Sequence, residues 1–215
     1  MTTTLPISKT ILTIADLEEK FNLHVSLDPT FFPEWCQDLP DLTASEVETL
    51  DHLQQRFAAH RKRGKVSEGA VDKLLVSPLL DLVGFYEPDF NVRTEESVQY
   101  ALEEDEDEEI LRGRIDTLIV QDQFWVLVVE AKRTIMASLA VPQVLAYMMC
   151  NPNPAQSVYG MVSNGDEFIF LKVNALPHPE YSSSTLYALF FPPVNQHLRE
   201  VFRVLKQVKN LIAPR

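Results

Sequence analysis

GRIDTLIVQDQFWVLVVEAKRTIMASLAVPQVLAY, residues 113 to 147, is the stretch on which the reading of the whole chain turns. Two apolar segments, Ile115 to Val120 and Phe124 to Val129, flank Gln121, Asp122 and Gln123, the pattern of a β-hairpin with a three-residue loop. The second segment is six apolar residues in a row, as expected of a strand covered on both faces. It ends in Glu130, and Lys132, two residues on, shares one side of an extended chain with it. Asp116 lies near the start of the first segment. An acid and a base at the end of a buried strand cost free energy unless their charges are compensated. Two compensations are open: a strand-end salt bridge between Glu130 and Lys132, or a divalent cation between Asp116 and Glu130. Hard cations of the magnesium type take one or two carboxylates and complete their shell with other oxygens. Beside such an ion Lys132 would orient or deprotonate a water, or neutralise developing negative charge.

Working outward, residues 1–64 read as a mainly helical extension packing on a core formed by residues 65–215, the two making one structural domain. Ile14 to Phe21 predicts a short helix, the Pro-rich stretch from Asp28 to Pro40 predicts turns, and Val47, Leu50, Leu53 and Phe57 predict a helix from about Ser45 to Arg61. Arg61, Lys62, Arg63 and Lys65 form the most basic cluster of the chain, either a solvated helix end or a contact to phosphates. Ser67-Glu68 opens the next helix, Ser77-Pro78 restarts a turn, and Gly84 ends it. A first strand follows from Phe90 to Tyr100. Pro88-Asp89 ahead of it reads as a turn. Beyond Lys132, a helix starting near Ser138 or Val141 and ending at Cys150 leads to a hairpin of Ser157 to Ser163 and Glu167 to Lys172. Its Asn164-Gly165 pair suits a type I′ turn. Thr185 to Phe191 is a further strand, and Val194 to Leu211 an amphipathic helix that caps the core or pairs with a second copy. The order helix, strand, strand, strand, helix, strand predicts an α/β fold: a mixed β-sheet flanked by helices, with one parallel crossover among antiparallel pairs.

The sequence Ile115-Asp116, thirteen residues, then Glu130-Ala131-Lys132 at the end of an apolar strand resembles the signature of the PD-(D/E)XK nuclease superfamily. Gln143 and Tyr147 form a Q-x-x-x-Y pair similar to an extra motif of its RecB-like and restriction-subunit-like branches, and Glu68 matches the glutamate of the family's first core helix. The resemblance spans roughly residues 65 to 173 and looks closest to the N-terminal nuclease domain of type I restriction R subunits. Ile115 stands where the family has proline. The resemblance implies a restriction-endonuclease-like core (αβββαβ) and a magnesium ion, replaceable by manganese, held by Asp116, Glu130 and the Ala131 carbonyl. It also implies Lys132 as the residue that handles water, Glu68, Gln143 and Tyr147 as further site residues, and DNA as the partner. Arg114, ahead of Asp116, is either a surface charge or a phosphate ligand.

Composition bounds these expectations. The two cysteines, Cys36 and Cys150, have no metal-ligand spacing, and no apolar run or leader pattern points to a membrane or to export, so a cytoplasmic protein is expected. The formal charge of −12 argues against coating DNA by bulk electrostatics. Seven of those charges lie in one acidic run, residues 103–109, which reads as a solvated loop and leaves −12 + 7 = −5 elsewhere. The acidity leaves a second class open, a non-catalytic nucleic-acid- or subunit-binding protein that keeps the nuclease fold, working with a protein partner. Motifs of P-loop, α/β-hydrolase and zinc-protease chemistry are absent from the sequence.

Overall fold

The structure, a computed structural model, describes residues 3–103, 108–122, 124–131, 136–190 and 196–212. Its fold is α/β, and the described residues form a nine-stranded mixed sheet flanked by helices. The sheet's longest strand, β4 (Glu108–Gln121), has three partners. It pairs antiparallel with β3 (Asn91–Glu103) and β5 (Phe124–Ala131), and parallel with β1 (Thr3–Pro6). From β5 the order continues through β6 (Val158–Ser163), β7 (Glu167–Asn174) and β8 (Glu180–Ser183) to β2 (His24–Val25), while β9 (Tyr187–Ala188) pairs with β7. Only three of the described pairs are parallel: β5 with β6 across helix α6 (Val141–Met149), β1 with β4, and β2 with β8.

The first 64 residues, expected as a helical extension resting on the core, thus also enter the sheet. The reason lies in β4: β5 covers its residues 117–121, and β1 pairs with residues 109–112, which would otherwise be an open edge. The helices expected there form as α2 (Ile14–Phe21) and α3 (Ala44–Arg61). Each starts on a reciprocal capping box, Thr13 with Asp16 and Thr43 with Glu46.

Side chains alternate across the central strands, so the sheet separates two cores. Leu127, Val129, Tyr159, Met161, Phe168 and Phe170 face one core, shared with α3, the helical stretch 68–83 and α7 (Gln196–Ile212). Val128, Val162, Ile169 and Leu171 face the other, shared with α1 (Ile7–Thr10), α2 and α6. Each strand of this group is apolar on both faces because both faces are covered.

Three local expectations are revised. The 68–83 stretch does not break at Pro78; α4 (Glu68–Val71) runs through a π turn, Asp72–Val76, into α5 (Ser77–Val83). Proline cannot donate to the carbonyl of Leu74, four residues back, and that oxygen instead accepts from Arg56 Nη2 at 3.3 Å. The expected three-residue β4–β5 loop loses Gln121 to β4, because Gln121 pairs with Phe124, and Asp122 is left-handed at φ 53°. At Asn164-Gly165 only Gly165 is left-handed, at φ 86°. Asn164 Oδ1 instead accepts the amides of Asp166 and Glu167 at 3.0 and 2.8 Å, so the loop is an Asn-capped turn and not type I′. Of the acidic run, residues 104–107 lie outside the described residues, and Glu109 sits in β4, paired with Lys20 at 3.2 Å.

The Pro-rich segment is tied to the sheet by charge. Glu34, in a 3₁₀ turn at Pro33–Trp35, accepts from the buried Lys172 ammonium at 2.7 Å and from the Tyr159 hydroxyl at 2.8 Å. Burial, with Glu34 alongside, pushes the Tyr159 phenol above its ordinary range. No described helix is long and apolar enough to cross a membrane.

At the end of α6, burial pushes the Cys150 thiol up to about 12, whereas Cys36 is exposed. At pH 8 the thiolate fraction of Cys150 is therefore on the order of 10⁻⁴. Iodoacetamide at that pH should give one adduct, on Cys36, by intact and peptide mass spectrometry; labelling of both at equal rates would contradict this packing of α6.

Candidate active site

The register of β4 on β5 pairs Thr117 with Val129 and Leu118 with Val128. One step further along the ladder sets Asp116 opposite Glu130, and side-chain hydrogen bonds occupy that step. The Ala131 amide donates to Asp116 Oδ2 at 3.0 Å, and the Asp116 amide donates to Glu130 Oε2 at 3.4 Å. Each acid is thus held by the backbone of the neighbouring strand. Glu130 is 1% exposed and Asp116 half-buried. A carboxylate that deep is stable only where donors or a cation meet it.

On the other side of β4 the ladder to β3 is broken at the same level. Thr94 pairs with Thr117 and Glu96 with Ile115, but Glu95, between them, is left-handed at φ 56° and is not paired with Asp116. The break opens a cleft of about 260 Å³ lined by Asp116, Thr117, Thr94 and Glu95 from β4 and β3, Val129 and Ala131 from β5, and Glu68, Gly69 and Asp72 from the helix facing them. Glu68 is there because Ser67 caps α4, its hydroxyl accepting from the Ala70 amide at 3.3 Å, which sets the acid in the first turn against β5. Glu130 does not line this cleft and lies behind the Asp116 amide.

Four acidic residues, Glu68, Asp72, Glu95 and Asp116, line the cleft, and no cationic residue is among its described lining. Such a donor set suits a hard divalent cation. Among the described residues no three His, Cys, Asp or Glu side chains converge closely enough to form a metal cluster. A magnesium site built from one or two carboxylates, a carbonyl and water needs no such triplet.

The remaining expected residues are dispersed. Gln143 Nε2 donates to Tyr147 Oη within α6, and Tyr147, 2% exposed, packs on Gly113 of β4, three residues before Asp116. The pair therefore buttresses the strand that carries Asp116. Arg114 is exposed and ion-paired through Nε to Glu95 at 2.5 Å. Arg61 is engaged elsewhere, paired with Asp166 and stacked over the Phe190 ring at 4.5 Å, while Lys62, Arg63 and Lys65 are exposed in the loop leading to α4. Lys132 lies outside the described residues. Two lining acids lie outside the sequence motif. Asp72 follows Glu68 at i+4, a spacing that would have found it; Glu95 owes its place to a left-handed backbone that no motif announces.

No family model matches the chain, and no curated protein does. Among solved structures, a fragment assigned as an HsdR subunit of a type I restriction enzyme from Vibrio vulnificus aligns with 66% of this chain at 18% identity and a TM-score of 0.38. The alignment covers 26% of that protein, so this chain spans about a quarter of its length.

Because a Cβ at Gly113 would stand 2.4 Å from Tyr147 Cε1, Gly113→Ala should destabilise the fold by about 1–3 kcal/mol in urea titrations. Adding Tyr147→Leu should recover part of that loss. A loss left unchanged by the second substitution would show that the ring does not brace β4.

Proposed function

We propose that the chain is a magnesium-dependent deoxyribonuclease with a restriction-endonuclease-like core, its site formed by Asp116, Glu130, Ala131, Lys132 and Glu68. The observation that carries this reading is the reciprocal hold of Asp116 and Glu130 on each other's strand, at the end of a buried strand and beside a cleft that Glu68 closes. The match of Ile115-Asp116 and Glu130-Ala131-Lys132 to the PD-(D/E)XK pattern supports it from the sequence.

Asp116 and the Ala131 carbonyl, on the cleft, would hold Mg²⁺ together with Glu130, whose carboxylate would have to turn out from behind the Asp116 amide to reach it; the ion would supply positive charge at the phosphate and make a bound water more acidic. In hydrolysis a water oxygen bonds to phosphorus, one P–O ester bond breaks, and the departing oxygen takes a proton. Lys132, two residues past Glu130, positions the water or accepts its proton. Glu68 adds a further oxygen to the acidic side of the cleft. Tyr147 and Gln143 act as positioning residues, holding β4 against α6. Arg114, and Lys62, Arg63 and Lys65 from the loop before α4, supply the cations that meet the DNA backbone. The alternative, a non-catalytic nucleic-acid- or subunit-binding protein, is favoured by the net charge of −12.

Cleavage of duplex DNA in Mg²⁺ by the wild type should fall about 10²- to 10⁴-fold in Lys132→Ala and at least as far in Asp116→Ala. Equal cleavage by all three would refute the assignment. Mn²⁺ should raise the thermal midpoint of the wild type and leave that of Glu130→Gln unmoved. Manganese stabilisation without cleavage would favour the binding-protein reading.

A further inference from the structure

Arg114 stands two residues before Asp116 on β4, at the rim of a cleft whose described lining is acidic. Its guanidinium is paired with Glu95, which belongs to that lining. Glu95 reaches it from a backbone geometry that non-glycine residues seldom adopt, at the step where the β3–β4 ladder is broken. Both side chains are more than half exposed, so the pair is within reach of a macromolecular anion. A phosphate offers the same guanidinium a charge-assisted partner of the kind Arg binds well.

We propose that Glu95 is an affinity-setting residue: it holds Arg114 in an internal ion pair that a DNA phosphate must displace before the strand can enter the cleft. The inference rests on the nuclease reading, and adds a competitor within the chain for the cation two residues from Asp116. Water and salt screen an exposed pair, so the latch shifts binding by no more than about fivefold. It sets a threshold for entry and does not close the site.

The test is a double-mutant cycle on binding of a fluorescein-labelled DNA duplex in Mg²⁺, with Asp116→Asn in every variant to suppress cleavage. Glu95→Gln should tighten binding about three- to fivefold while Arg114 is present, and leave it unchanged when Arg114→Gln is also present. Glu95→Asn removes the same charge with a residue that tolerates left-handed backbone, and should behave alike if the chain folds normally. Equal tightening with Arg114 kept and with Arg114 replaced would show general repulsion by Glu95 and overturn the latch. So would unchanged affinity in Glu95→Gln and Glu95→Asn while the parent binds the duplex. Failure of the chain with Asp116 intact either to bind or to cut the duplex in Mg²⁺ would remove the nuclease reading, and the latch with it.

Discussion

A carboxylate that is 1% exposed, at the end of a strand with an apolar core on either side, has to be met by something. Around Glu130 the backbone supplies the first answer, the Asp116 amide, and the neighbouring Ala131 amide does the same for Asp116. These bonds can form only if β4 and β5 keep their register to the last pair, and that register is held by the apolar residues on both faces of β5. The packing of the cores and the placement of the acids are therefore one constraint. A slip of one residue would turn Glu130 towards the other face and break both of these bonds.

The same logic explains which features were legible from sequence. Phe124 to Val129 announced a doubly covered strand, and β5 is one. The helices with clear caps or apolar stripes, α2, α3 and α7, fell close to where the pattern set them. The strands β1, β2 and β8 were not legible, because Thr3–Pro6, His24–Val25 and Glu180–Ser183 are short and partly exposed and owe their conformation to a distant partner. Pro78 interrupts the helical pattern in the sequence, yet the π turn and Arg56 absorb it. In the candidate site Asp116, Glu130 and Glu68 came from spacing and resemblance. The contribution of Glu95 depends on a single φ angle and carries no local signature.

Charge is distributed more sharply than the net value suggests. Acidic side chains crowd the cleft, while the exposed bases of residues 62–65 lie in the loop that runs into α4, whose first residue is Glu68. With a screening length of about 8 Å at physiological ionic strength, the field at the cleft is set by these neighbouring regions and little by the whole-molecule charge.

The division of the interior by the sheet also has an optical consequence. The chain has two tryptophans: Trp35 packs against the core under α3 and α7, and Trp125 belongs to the core under α6. Each compartment thus carries its own indole, and the intrinsic emission is a sum over two layers that share a wall. Replacing either indole with phenylalanine separates them, so that melting of one layer ahead of the other becomes visible as a difference between two fluorescence traces.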